Sequence, residues 1–126
     1  MKGLIILALF AVASARIVDE FDVHFANFKR VCEDVVGRDP ATVRLSATLP
    51  VAIGRDAADL ERRKELLGEP GARLLAAGVT GYAGDVIRVV EDLASQGADT
   101  VYFHVYGPSD VAHIELLGEQ VVSRFS

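Results

Sequence analysis

Three histidines, one cysteine and three runs with polar groups at alternate positions are what this sequence offers for chemistry. His24, His104 and His113 are scattered, with no i, i+4 pair and no nearby carboxylate triad, so their spacing does not describe a metal site. His113 falls in a helical pattern whose inward positions lie elsewhere, which predicts solvent exposure. Cys32 sits on an apolar helical stripe and reads as a small core residue. No Gly-x-Ser-x-Gly, phosphate loop or paired-cysteine motif is present. The polar series remain: Glu20, Asp22 and His24, then Arg44, Ser46 and Thr48, then Tyr102, His104 and Tyr106. A period of two puts each series on one side of a strand. Such groups either face a ligand or satisfy one another, for instance Arg44 with Glu20 or Asp22, as buried polar groups must.

The elements that would position them follow from periodicity. Ile17–His24 reads as a strand, with Phe21 and Val23 alternating against Glu20, Asp22 and His24. Phe28, Val31, Cys32 and Val35 then repeat as one helical face, and Gly37 stands where a left-handed cap is wanted. Val43–Ile53 is the cleanest strand, with Val43, Leu45, Ala47, Leu49, Val51 and Ile53 on one side. Asp56 is an N-cap for a helix through Leu67, charged over most of its surface and expected outside the core. Gly68, Pro70 and Gly71 break it before the apolar piece Ala72–Ala77. From Ala83, a helix carries Val86, Val89, Val90, Leu93 and Ala94 inward and closes at Gly97. Thr100–Tyr106 is the last strand. A last helix, Asp110–Arg124, points Val111, Ile114, Leu117 and Val121 inward.

Alternation of this kind predicts an α/β fold with a parallel sheet covered by helices. Three strands leave two open edges and one face without cover, so a missing remainder or a homo-oligomer is expected. The 126 residues suffice for one domain. With 13 basic against 18 acidic residues, a net charge of −5 and no basic cluster, a nucleic-acid surface is not indicated. A single cysteine excludes an internal disulfide. Lys2, the apolar run Gly3–Ala13 and the small-x-small Ala13-Ser14-Ala15 read, taken alone, as a secretory signal peptide. The run is too short to span a bilayer. The other reading is a buried helix with Leu7, Phe10, Ala11, Ser14 and Ala15 on one stripe.

Three motifs in order carry a resemblance. Ala15-Arg16-Ile17-Val18-Asp19-Glu20-Phe21-Asp22 comes first, and Gly37-Arg38-Asp39-Pro40 second. The third is Gly78-Val79-Thr80-Gly81 with Asp85-Val86 and Gly97-Ala98-Asp99-Thr100-Val101. The set resembles the C-terminal portion of luciferase-like monooxygenases and their deazaflavin-dependent relatives, over roughly Ala13 to Phe125. Tyr82-Ala83 stands where that family has a capping Thr-Pro, Asp22 where Asn is usual, and Ser123 where Pro is frequent.

The resemblance implies the last three units of a TIM-type (β/α)8 barrel, a fold that needs on the order of 250 residues. It therefore implies a C-terminal fragment, residues 1–126 forming one partial domain, not catalytically complete alone. The family's N-terminal catalytic strands have no counterpart here. FMN or a deazaflavin (coenzyme F420) is the implied cofactor, not bound by this chain alone, with a small-molecule substrate in complete relatives and no membrane partner. In a barrel the polar series face inward and strand C-terminal ends line the ligand mouth, so His24, Arg55, His104 and Tyr106 are the cofactor- or substrate-side candidates. Under the resemblance Leu4–Ala15 becomes a helix and the chain cytoplasmic. The alternative is a small exported α/β binding module, if residues 1–15 are a signal peptide.

Overall fold

The computed structural model describes residues 17–107 and 109–126. The reading of Leu4–Ala15 as helix or signal peptide lies outside the described residues. Helix α1 spans Ile17–Val31 and passes through a π-turn at Cys32–Val36, which Gly37 ends in the left-handed conformation. A 3-10 turn at Pro40–Thr42 leads into β1, Ser46–Ile53. Helix α2 covers Ala57–Leu75, β2 Val79–Gly81, α3 Ala83–Ser95, β3 Thr100–His104 and α4 Val111–Gln120, with a 3-10 turn at Val122–Phe125.

The first correction is at the start. Ile17–His24 is helical, not a strand. Phe21, Phe25, Phe28 and Cys32 recur every three to four residues, and Phe21, Phe25 and Cys32 are buried. Val23, which an alternating strand would place beside Phe21, is exposed. The longer helical period outweighed a short alternation. The Phe21 and Phe25 rings meet tilted at 5.5 Å between centroids, a favourable aromatic arrangement.

The sheet is parallel and ordered β2-β1-β3. Its first strand is therefore central, whereas consecutive barrel units lay their strands in chain order. β1 behaves as expected: Val43, Leu45, Ala47, Leu49, Val51 and Ile53 are all buried. Their side meets Val86, Val90 and Leu93 of α3, Leu116, Leu117 and Val121 at the end of the chain, and Phe21 and Phe25 of α1, in one apolar cluster. On β3 the expected alternation holds. Val101, Phe103 and Val105 pack against the core, while Tyr102, His104 and Tyr106 are exposed.

Helix α2 starts where the sequence puts it, the Asp56 side chain accepting the Asp59 amide at 2.8 Å. Its first leg ends at Leu67, where the expected break is found. At Gly68 the backbone turns to φ 61°, a conformation open to glycine, and a second leg continues to Leu75. Pro70 opens that leg, where its missing N–H costs no helical bond. The expectation that α2 lies outside the core is corrected too. Leu60, Arg63, Leu67 and Gly71 form a buried stripe, although none joins the main apolar cluster. Helix α4 is rotated from expectation. His113, Leu116, Leu117 and Val121 point inward, and Val111 and Ile114 are exposed.

Candidate functional site

In a parallel sheet neighbouring residues of one strand direct their backbone groups to opposite edges. β1 pairs with β3 only as far as Pro50 opposite His104, then runs three residues further beside β2 to Ile53. Gly54 donates its N–H to Gly81 O on the β2 side. The N–H and C=O of Ile53 therefore point to the edge β3 has left, where a buried polar group without a partner is costly.

Two side chains take them. The Ile53 N–H donates to His113 Nε2 at 3.1 Å, and Arg63 Nη1 donates to the Ile53 carbonyl. Because Nε2 accepts, the imidazole is neutral with its proton on Nδ1. Arg63 and His113 are each 1% exposed. Arg63 Nε also donates to Asp110 Oδ2 at 2.9 Å, and Nη1 to Asp59 Oδ2 at 3.0 Å. Asp110 caps α4 by accepting the His113 amide at 3.2 Å. Asp59 accepts the Arg55 amide at 2.9 Å. One cation and two carboxylates thus join the end of β1, the first turns of α2 and the start of α4.

The charges respond accordingly. The Arg55 amide and the Arg62 guanidinium, with Arg63 behind them, hold Asp59 far below the usual carboxylate range, against a penalty from burial. Burial opposes ionisation of Asp110, but the Arg63 bond and charge outweigh it and the pKa is lowered. Burial also works against the Arg63 cation, and the two carboxylates still raise its pKa. Burial and the Arg63 charge push His113 down to about 4.

The candidates drawn from the sequence disperse. His24 is exposed on α1, a helix that packs on α3, so the three-strand polar surface loses its first series. Arg55 lies at the C-terminal end of β1, exposed and paired with Glu119 at 3.0 Å. His104 and Tyr106 lie on and just beyond β3, on the face away from the core. The Tyr106 ring stands beside α2 at Gly71. Only Arg55, His104 and Tyr106 therefore share the strand-end side. Two depressions open there on either side of Leu67. One of about 330 Å³ is lined by Lys64, Leu67, Ala72, Leu75, Ala76 and Thr80. The other, about 300 Å³, is lined by Leu66, Leu67, Gly107, Ser109 and Asp110.

Arg63 and His113 were missed. Arg63 hid within a run of charged helical residues, and its only signal was the i, i+3, i+4 spacing with Leu60 and Leu67. Among the described residues, no three His, Cys, Asp or Glu side chains gather as metal ligands would. Nor is any described helix long and apolar enough to cross a membrane.

No protein-family model matches the sequence, and no curated protein matches it either. Solved structures do match the fold. The coenzyme F420-dependent tetrahydromethanopterin reductase of Methanopyrus kandleri superposes with a TM-score of 0.66 at 15% identity, covering 96% of this chain and 45% of its own. An F420-dependent secondary alcohol dehydrogenase, solved with an F420–acetone adduct, gives 0.61 at 12% identity over 95% of this chain and 42% of its own. Monooxygenase RslO1 from Streptomyces bottropensis gives 0.64 at 12% identity over 99% and 43%. The chain thus shares its fold with part of these enzymes and spans less than half the length of the solved chains it matches.

Proposed function

We propose that this chain is the C-terminal part of a luciferase-like oxidoreductase that uses a deazaflavin or FMN and is not catalytically complete alone. The observation that carries the reading is the fold match over nearly the whole chain to two F420-dependent enzymes and a monooxygenase. The sheet, with its order β2-β1-β3, is read as part of a (β/α)8-type enzyme rather than as three consecutive units of it, with the C-terminal ends of the strands as the ligand mouth.

The residues at that mouth suit part of such a cofactor. Tyr106, His104 and the apolar walls at Leu67, Leu75, Ala72 and Ala76 offer flat and apolar contacts to a ring system. They do not suit its phosphate arm. The guanidinium of Arg63 is consumed by Ile53, Asp59 and Asp110, Lys64 pairs with Glu61, and Arg55 pairs with Glu119. The electron chemistry belongs to the bound cofactor. This chain contributes one wall and its rigidity.

The test is an NMR titration of the 126-residue chain with coenzyme F420 and, separately, FMN. Weak, unsaturated binding with shift changes confined to His104, Tyr106, Gly107 and Leu67 is the expected result. Tight stoichiometric binding would refute the incompleteness, and binding with changes scattered elsewhere would refute the site; no binding agrees with a chain that does not hold the cofactor alone.

A further inference from the structure

The two legs of α2 are held very unequally. The first, residues 57–67, is fixed by its Asp56 cap, by buried Leu60 and Leu67, and by buried Arg63, which donates to Ile53, Asp59 and Asp110. The second, residues 69–76, has one buried residue, Gly71, seated against Leu67 and the Tyr106 ring. Its ion pair, Arg73 with Glu69 at 3.8 Å, lies within the leg and is exposed. Among the described residues, no side-chain bond ties this leg to the rest of the chain.

A glycine stands at each end of the weak leg. Gly68 holds φ 61°, which breaks the helical run and which an L side chain rarely adopts. Gly78 passes so close to the Pro50 carbonyl that a Cβ would not fit, so the far end is fixed on β1. Between these two points the leg forms one wall of the depression of about 330 Å³. Ala72, Leu75 and Ala76 come from the second leg, Lys64 and Leu67 from the first, and Thr80 from β2. Nearly all of this lining is apolar, so bringing the legs together over an apolar ligand is favoured by the area it removes from water.

We propose that residues 69–76 are a hinged lid, which lifts as a unit about Gly68 and Gly78 and opens the depression while the first leg and the sheet stay folded. Elements that gate ligand sites come from the least stable parts of a fold, and this leg has the fewest anchors of any helical piece at the strand ends. The motion rests on the fold alone. That the ligand admitted is the ring system of a deazaflavin or FMN rests on the reading above.

Amide hydrogen exchange on the full chain at pH 7, followed by NMR without any ligand, tests the lid, so its failure leaves the cofactor reading standing. So short a leg cannot stay helical off its seat, and each opening exposes its amides together. The amides of Arg73, Leu74, Leu75 and Ala76 should therefore share one protection factor, about 100-fold or more below those of residues 63–67. Gly71→Ala sets a methyl group against Leu67 Cβ and unseats the leg. It should lower the protection of those four amides further and leave residues 63–67 unchanged. Equal protection in the two legs overturns the proposal, as does protection that rises step by step inward from Ala76, which is fraying. So does a Gly71→Ala variant that loosens both legs alike or neither.

Discussion

Lowering the pH should loosen this protein through one residue. In an unfolded chain the His113 imidazole titrates near its ordinary 6.5, and in the fold burial and Arg63 hold it down to about 4. Between those values the unfolded state takes up a proton that the folded state refuses. Stability must therefore fall as the pH drops from about 6.5 towards 4, and His113 adds no pH dependence above about 7. A depression of about two and a half pH units, at 1.36 kcal/mol each, corresponds to a loss on the order of 3 kcal/mol by pH 4. That is a sizeable share of the roughly 5–15 kcal/mol that hold a domain folded. Asp59 and Asp110 act elsewhere. Their folded pKa values are lowered, so the stability they contribute is present above the ordinary carboxylate value of 3.8 and is lost only below it.

Urea titrations followed by far-ultraviolet circular dichroism at half-unit steps from pH 7.5 to 4 would measure the slope. His113→Gln is the diagnostic variant, since a Gln carbonyl can accept the Ile53 amide but cannot titrate. Its stability should be nearly flat where the parent declines. The reasoning fails if the parent is flat between pH 6.5 and 4.5, or if His113→Gln keeps the parent slope.

Other perturbations test neighbouring links. Arg63→Met leaves Asp110 and Asp59 without their buried cation and the Ile53 carbonyl without its donor. It should cost about 3–5 kcal/mol in urea unfolding. Phe21→Ala removes a fully buried ring and should cost about 3–5 kcal/mol, and Phe103→Ala, only partly buried, clearly less in the same assay. Gly54→Ala sets a methyl group 2.6 Å from the Leu60 backbone nitrogen. Unfolding should show a loss of about 1–3 kcal/mol, because a backbone atom cannot swing aside.

What could be read from the sequence was whatever depends on one element and its own period. β1 announced itself through six apolar positions at a spacing of two, and α3 through Val86, Val90 and Leu93 with Gly97 behind them. The caps at Gly37 and Asp56 were legible because a cap is a local bond between near neighbours. α1 misled because its first eight residues alternate by chance. Phe25 and Phe28 settle the helical period only when taken with Phe21, and Phe25 lay just past the boundary assigned to the strand.

The polar site was illegible for a different reason. Neither Arg63 nor His113 is buried on account of its own helix pattern. Each is buried because β3 parts from β1 at Pro50 and leaves both backbone groups of Ile53 without a strand partner. The demand for a donor and an acceptor arises from where one strand ends relative to another, at Pro50 opposite His104, and no window of residues records that distance. The opposite end of β1 obeys the same rule. There the Asp99 carboxylate accepts the Leu45 N–H at 2.9 Å while the Asp99 N–H donates to the Leu45 carbonyl at 2.8 Å. Asp99 stands in the sequence only as one residue of the Gly97–Val101 motif, and its bonding role follows from the register. A charged residue at a helical spacing with buried leucines is then a signal to ask which strand end lacks a partner, and Arg63 answers that question here.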